Sequence, residues 1–179
     1  NIIGSYYDDV LTGDGNANFI HGGTSDVSHQ SGNDTIKGLG GNDELSGGHG
    51  NDQIDGGTGA DRITTGSGID TIVLRAGDGG STLADADTIT DFTNGTDVFG
   101  LDGGMQYSDL TIAQGTGETG NQNDTIIKAG SEYLAILTGI SASNINYMDF
   151  VSTSTANQNL TGTNGDDILL GAGGADTVT

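Results

Sequence analysis

Aspartates spaced nine residues apart run through residues 32–73, and this repeat constrains the fold more than any other feature of the sequence. A glycine precedes each aspartate by two positions and an aliphatic residue follows it by two, so the unit is G-G-x-G-x-D-x-U-x, with U aliphatic. The same pattern appears upstream at Asp9 and, with a neutral substitute, at Asn18, and it restarts downstream at Asp167 and Asp176. A fixed period of this kind indicates one supersecondary unit that stacks on its neighbours. The five central pairs are Asp34 and Ile36, Asp43 and Leu45, Asp52 and Ile54, Asp61 and Ile63, and Asp70 and Ile72.

Each repeat predicts one tight turn followed by one short strand. The glycine-rich part of the unit allows positive φ values, whereas the last three residues alternate outward, inward and outward, as in Thr35-Ile36-Lys37. Two repeats then complete one coil, with their aliphatic side chains facing each other across a thin core. We therefore expect an all-β coil in which repeats two apart stack along one edge. The expected edges are Asp34, Asp52 and Asp70 on one side and Asp43 and Asp61 on the other.

The charge balance narrows the classes of partner. Asp and Glu total 25 against 4 Lys and Arg, for a formal net charge of −21. Nucleic acids and anionic membranes bind proteins through basic patches, so neither is expected as a partner. The chain has no cysteine and no apolar run long enough to span a bilayer, which excludes disulfides and predicts no membrane insertion.

Stacked aspartates at this spacing predict calcium binding. Neighbouring strands lie about 4.8 Å apart, and calcium binds oxygen at about 2.3–2.6 Å, so an ion midway between two stacked carboxylates is at ligand distance from both. Without the ion, unit charges about 5 Å apart repel by roughly 3 kcal/mol at an effective dielectric constant of about 20. Glycine carbonyls in the turns supply neutral oxygen ligands, and thiolate ligands are absent. We expect several calcium ions, roughly five in the first roll.

These nonapeptides resemble the glycine- and aspartate-rich repeats of the RTX, or haemolysin-type calcium-binding, family. The resemblance covers residues 3–73 and 160–178. It implies a right-handed parallel β-roll with calcium between repeats n and n + 2, and type I secretion to an extracellular or cell-surface location. The acidic ligands that it implies are the five repeat aspartates together with Asp9, Asp167 and Asp176. The carbonyl ligands that it implies are those of Gly32, Gly38, Gly41, Gly47, Gly50 and Gly56.

Residues 84–151 lose the nine-residue period but keep strand patterns, and most of the aromatic residues lie there. Residues 87–97 resemble the D-x-I-x-x-F-x-x-G-x-D segment that often follows an RTX block, which implies that they close the open end of the roll. Asp87 and Asp97 are then candidates to bind another calcium ion, and an ordinary surface role for them stays open. We therefore divide the chain into a calcium-binding β-roll over residues 1–79, a β-rich capping segment over 80–157, and the start of a second roll over 158–179.

No catalytic motif accompanies the repeats. The three histidines form no H-E-x-x-H, and neither G-x-S-x-G nor a P-loop occurs, so we expect no enzyme activity. Two functions remain open. The first is a calcium-stiffened structural module of a secreted or cell-surface protein, such as an adhesin or filament, which assembles head-to-tail through open roll ends or stacks on neighbouring RTX blocks. The alternative is the C-terminal secretion and folding segment of a type I-secreted hydrolase or toxin whose catalytic domain is missing from this sequence.

Overall fold

A computed structural model of the chain describes residues 1–23, 32–117 and 122–153, and the backbone of 159–160 and 177–178. Short 3₁₀ helices in these ranges connect the later strands, at Leu83–Asp85, Tyr107–Asp109, Ala142–Asn144 and Tyr147–Asp149. None of the helices in the described ranges is long and apolar enough to cross a membrane. The strands are β1 (Ile2–Ile3), β2 (Val10–Thr12), β3 (Phe19–His21), β4 (Thr35–Gly40), β5 (Glu44–His49), β6 (Gln53–Thr58), β7 (Arg62–Ser67), β8 (Thr71–Leu74), β9 (Asp87–Ile89), β10 (Val98–Leu101), β11 (Leu110–Gln114), β12 (Thr125–Ala129), β13 (Glu132–Leu137), β14 (Phe150–Ser152), β15 (Asn159–Leu160) and β16 (Thr177–Val178).

Successive strands of the roll alternate between two sheets. The eight-stranded sheet has the order β1-β3-β5-β7-β9-β13-β12-β11, and the six-stranded sheet has the order β14-β10-β8-β6-β4-β2. Parallel pairing joins Ile36 to Ile54 in one sheet and Leu45 to Ile63 in the other, in each case one coil of two nonapeptides apart. The all-β fold and the parallel β-roll predicted from the repeats are therefore confirmed.

The core of the roll is one aliphatic side chain thick per strand. Burying one such side chain contributes about 1.5–3 kcal/mol, so a core this narrow leaves much of the stability to the edges of the roll. The side chains that fill it are fully buried: Ile20, Ile36, Leu45, Ile54, Ile63, Ile72 and Ile89.

The two sheets continue from the repeats into the following segment. Ile89 on β9 pairs with Ile63, and Phe99 on β10 pairs with Ile72. Three aromatic rings thicken the core here, since the Phe99 centroid lies 4.9 Å from that of Phe92 and 5.3 Å from that of Phe150. Antiparallel strands β13, β12 and β11 then complete the eight-stranded sheet. This segment has the strands that its sequence predicts, and aromatic residues concentrated there form its core.

The predicted second roll is described only through its strands. Strands β15 and β16 pair in parallel, with Asn159 opposite Thr177 and Leu160 opposite Val178. The predicted ligands Asp167 and Asp176 lie outside the described residues. The domain boundaries at 79 and 157 stay predictions.

Candidate metal centre

Each repeat aspartate stands at the end of a turn, directly before a strand, and it stacks on the aspartate of the next coil. The Asp34 backbone N–H donates to Asp52 Oδ1 at 2.8 Å, and the Asp52 N–H donates to Asp70 Oδ1 at 2.8 Å. On the opposite edge, the Asp43 N–H donates to Asp61 Oδ1 at 2.7 Å. The structure thus brings the repeat aspartates together in the two columns that the spacing predicts.

The second carboxylate oxygen of each of these aspartates has no hydrogen-bond partner. The Oδ2 atoms of Asp34, Asp43, Asp52, Asp61 and Asp70 are all buried and unsatisfied. No more than 2% of any of these residues is exposed. A buried charged oxygen without a partner loses its hydration free energy and gains nothing in return, so it requires a cation or a proton.

Turn backbone places a carbonyl group close to three of these unsatisfied oxygens. A Cβ atom on Gly38 would overlap Asp43 Oδ2 and would lie 2.5 Å from the Gly56 carbonyl oxygen. Only glycine therefore leaves open the space in which the carboxylate and the carbonyl of the next coil converge. The same arrangement recurs at Gly47 with Asp52 Oδ2 and the Thr65 carbonyl, and at Gly22 with Asp34 Oδ2 and the Gly47 carbonyl.

The predicted glycine ligands fall into two groups. The carbonyls of Gly47 and Gly56 face unsatisfied carboxylate oxygens, whereas that of Gly38 faces the Asn18 amide oxygen across Gly13. The other three carbonyls lie against a turn glycine of the next coil, where a side chain would overlap them. Close backbone packing therefore explains why glycine occurs at those three positions. These contacts join Gly32 to Gly50, Gly41 to Gly59 and Gly50 to Gly68.

Burial makes the ionised carboxylates unfavourable in the absence of a cation. Burial raises the pKa of Asp52 to about 7, and the negative charges of Asp70 and Asp34 act in the same direction. The hydrogen bond from the Asp34 N–H acts in the opposite direction and lowers this pKa. Burial likewise raises the pKa of Asp61 and of Asp70 to about 6. Burial is also the main cause that raises the pKa values of Asp34 and Asp43. A bound cation would therefore stabilise the ionised carboxylate at all five positions.

The ends of the columns differ from their middle because protein donors reach the carboxylates there. Asp9 Oδ2 accepts hydrogen bonds from the Ser5 N–H at 2.6 Å and from the Ser5 hydroxyl at 2.9 Å. Asp97 Oδ2 accepts from the Thr93 N–H at 2.8 Å. The Oδ2 atoms of the predicted ligands Asp9 and Asp97 thus have internal partners that the Oδ2 atoms of the five repeat aspartates lack.

Asp87 and Asp97 do not share a site. Asp87 Oδ1 accepts from the Asp61 N–H at 2.9 Å, whereas Asp97 Oδ1 accepts from the Asp70 N–H at 3.2 Å. Strands β9 and β10 belong to different sheets, so the turns before them lie on opposite edges of the roll. The prediction of one further ion bound by both residues is therefore wrong, and each aspartate instead extends one column. Burial and the Asp61 charge raise the pKa of Asp87 to about 8.

A ladder of asparagine side chains runs beside the aspartate columns and was not predicted. Asn33 Oδ1 accepts from the Asn51 N–H at 2.7 Å, and Asn51 Oδ1 accepts from the Ile69 N–H at 2.8 Å. On the other edge, Asn42 Oδ1 accepts from the Ala60 N–H at 3.1 Å. The available signal was the asparagine that precedes the aspartate in three successive repeats.

Arg75 forms a second unpredicted cluster, on the six-stranded sheet. Its guanidinium lies 2.8 Å from Asp55, 3.2 Å from Asp78 and 3.1 Å from Asp102. These hydrogen bonds, led by that of Asp55, raise the pKa of Arg75. Since Asp55 belongs to β6 and Asp102 follows β10, this cation ties the repeats to the following segment without a metal ion.

The donor set along the edges fits calcium. Within residues 1–23, 32–117 and 122–153, no three His, Cys, Asp or Glu side chains gather into a metal site. At Asp34, Asp43 and Asp52 a carboxylate oxygen and a turn carbonyl oxygen instead converge, and carboxylate and carbonyl oxygens are the ligands that Ca²⁺ prefers. Asp34, Asp43, Asp52, Asp61 and Asp70 are the residues placed to hold such ions.

A parallel β-roll with oxygen-lined edges defines a class of repeat protein whose turns bind cations. The chain belongs to the RTX calcium-binding nonapeptide repeat family, whose model matches residues 1–26, 30–63, 55–78 and 152–179 in four copies. The family recognised in the sequence is therefore confirmed, and its repeats are calcium-binding repeats.

The chain is similar to several solved structures, among them two subunits of one enzyme. One is the solution structure of the AlgE6R3 subunit from the Azotobacter vinelandii mannuronan C5-epimerase, with 26% identity, a TM-score of 0.45, and coverage of 96% of this chain and 90% of that one. The other is the AlgE6R2 subunit from the same enzyme, with 24% identity, a TM-score of 0.46, and coverage of 86% and 92%. No curated protein matches the chain.

Proposed function

We propose that the chain is a calcium-gated structural module of a secreted or cell-surface protein. In this proposal calcium fills the two edges of the roll, and the roll then holds neighbouring parts of the protein at a fixed distance and orientation. The observation that carries the proposal is the set of five buried, unsatisfied Oδ2 atoms. We assign the module no catalytic role.

Repulsion between the buried carboxylates makes folding of the roll depend on calcium. Without calcium, each column holds buried like charges about one strand spacing apart, and repulsion of roughly 3 kcal/mol per pair opposes stacking. A thin core offers little to offset that repulsion, so the repeats stay expanded at cytosolic calcium. At millimolar extracellular calcium, binding free energy becomes folding free energy, and neighbouring repeats fold cooperatively. Secretion in the unfolded state and folding outside the cell are then compatible.

The number of ions follows from the number of unsatisfied oxygens. Asp34, Asp52 and Asp70 lie along one edge and Asp43 and Asp61 along the other, which supports roughly five ions, one for each unsatisfied oxygen. Turn carbonyls complete each ligand set.

Calcium titration followed by far-UV circular dichroism tests the proposal. We expect a cooperative gain of strand signal as calcium rises to millimolar concentrations, and no such gain with magnesium, which demands stricter octahedral geometry. Equal strand content in calcium and in chelator, or an equal response to both metals, would contradict calcium gating.

We also propose that the module works end to end with other RTX blocks or with further copies of itself. The sheet order supports this, because β1 and β2 are the terminal strands of their sheets at the same end of the roll.

A further inference from the structure

The turn that leads into β10 contains an asparagine followed directly by a glycine, Asn94-Gly95. Both residues are exposed. Gly95 has a φ of 78°, and apart from its chain neighbours no heavy atom lies within 4 Å of the place where a Cβ atom would stand. Water and the neighbouring side chain therefore reach the Gly95 backbone without obstruction.

The hydrogen bonds that close this turn do not use the two residues. The N–H groups of Thr96 and Asp97 both donate to the Thr93 carbonyl, at 3.0 Å and 2.9 Å. The Thr93 N–H in turn donates to Asp97 Oδ2 at 2.8 Å. Within the described part of the chain, neither the Gly95 N–H nor the Asn94 side-chain amide has a hydrogen-bond partner. Both groups can therefore react without breaking a bond that closes the turn.

The asparagines of the ladder beside the aspartate columns are held in the opposite way. Asn51 Oδ1 accepts from the Ile69 N–H at 2.8 Å. The residue that follows is Asp52, whose N–H donates to Asp70 Oδ1 at 2.8 Å and whose side chain stands where a glycine has none. Residues 1–153 contain no second Asn-Gly pair. The turn before β10 thus combines a free side-chain amide with a free and unobstructed backbone nitrogen.

We propose that Asn94 is a site of spontaneous covalent modification, with water as the co-reactant. The Gly95 nitrogen attacks Cγ of the Asn94 side chain, and a new carbon–nitrogen bond closes a five-membered imide ring. The bond from Cγ to the side-chain nitrogen breaks, and ammonia leaves with the proton that the Gly95 nitrogen gives up. Water then adds to one of the two ring carbonyl carbons and opens the ring, which leaves an aspartate or an isoaspartate at position 94.

The products change the turn that positions the last carboxylate of one column. Isoaspartate places one additional carbon atom in the backbone between Thr93 and Asp97, and either product adds a negative charge there. Asp97 is 2% exposed, and its Oδ1 accepts from the Asp70 N–H at 3.2 Å. The modification therefore acts next to the junction between the repeats and the following segment. The reaction needs no metal ion, so it does not rest on the proposed function.

Incubation of the chain in millimolar calcium at pH 8, followed by peptide mass spectrometry, tests the proposal. The readout is the mass gain that accompanies replacement of an amide –NH₂ by –OH, and chromatography separates the aspartate peptide from the isoaspartate peptide. Asn51 is the internal control, because its side chain is hydrogen-bonded and no glycine follows it. We expect Asn94 to be modified at least about ten-fold faster than Asn51, a difference of about 1.4 kcal/mol in activation free energy.

Two variants test the chemistry. Gly95→Ala should slow the reaction, because a Cβ atom obstructs the attacking nitrogen. Since alanine is strained at a φ of 78°, Asn94→Gln serves as a second variant, which keeps the glycine and should react far more slowly because its side chain is one carbon longer. Equal rates at Asn94 and Asn51 in the wild-type chain would overturn the proposal. A mixture of products that forms as fast in Gly95→Ala as in the wild-type chain would also overturn it.

Discussion

Replacing Asp52 with asparagine should move stability in opposite directions with and without calcium. Asp52 lies in the middle of its column, with Asp34 and Asp70 as its neighbours. Asparagine keeps the Oδ1 acceptor for the Asp34 N–H and removes one buried negative charge. Its amide group also faces the Thr65 carbonyl, which approaches Asp52 Oδ2 across Gly47.

The expected magnitude follows from the raised pKa. Burial raises the pKa of Asp52 from 3.8 to about 7, and each tenfold change in proton affinity corresponds to about 1.4 kcal/mol. Above pH 7 and without calcium, the ionised side chain therefore costs the folded roll about 4 kcal/mol. We expect Asp52→Asn to stabilise the calcium-free roll by about 2–4 kcal/mol at pH 8. In calcium, loss of a charged ligand should raise the calcium midpoint at least about ten-fold.

Circular dichroism measures both effects. In chelator, where the wild-type repeats are expanded, Asp52→Asn should show more strand signal than the wild-type chain, and in a calcium titration its midpoint should be higher. Glu44→Gln is the matched control, because it also removes one charge but from an exposed side chain on the outer face of β5, and it should change stability by less than about 0.5 kcal/mol. Less strand signal for Asp52→Asn than for the wild-type chain in chelator would refute the assignment, since it would mean that the carboxylate stabilises the roll without an ion.

Four further results are expected. In chelator, the roll should gain stability as pH falls from 8 towards 4. Asp52 has a pKa of about 7 when folded and near 3.9 when unfolded, so the folded chain binds more protons in that window. Circular dichroism that shows strand loss on acidification would contradict this. Leu39→Gly should stabilise the roll by about 1 kcal/mol in urea unfolding, because Leu39 has a φ of 78° and is 51% exposed; a loss of stability would show that the leucine side chain contributes packing. Arg75→Gln should lower the free energy of unfolding in millimolar calcium by about 1–3 kcal/mol without changing the number of bound calcium ions, and loss of a bound ion in isothermal titration calorimetry would place Arg75 among the groups that act through the ion. Asn18→Asp should add one calcium ion in isothermal titration calorimetry, because Asn18 Oδ1 and the Gly38 carbonyl converge across Gly13; an unchanged stoichiometry would show that this edge position does not hold an ion.

The repeat made most of the fold predictable. The side chains of a strand alternate between its two faces, so the aliphatic residue of each nonapeptide was expected to point into the same core. The pairing of Ile36 with Ile54 follows because two nonapeptides complete one coil. The same periodicity placed the aspartates on two edges. Residues 22–31 lengthen the spacing between the repeat positions Asn18 and Asp34 beyond nine. They did not disturb this order, since Leu11 still pairs with Ile36.

What the sequence did not reveal depends on contacts between distant coils. Arg75 meets Asp55 and Asp102, which lie 20 and 27 positions away, and neither of them occupies the repeat aspartate position. The separation of Asp87 from Asp97 depends on β9 and β10 entering different sheets, which residues 87–97 alone do not indicate. Glycines at the turns also serve two purposes, ion access and close backbone packing, and their identity does not distinguish these purposes.

Anomalous scattering of calcium, in crystals of the protein grown with that ion, tests most directly whether the buried Oδ2 atoms hold calcium. We expect an anomalous peak beside the Oδ2 atom of each of Asp34, Asp43, Asp52, Asp61 and Asp70, within about 2.3–2.6 Å of the oxygen. Ordered edges with no peak at these five positions, or peaks confined to exposed carboxylates such as Glu44, would contradict it.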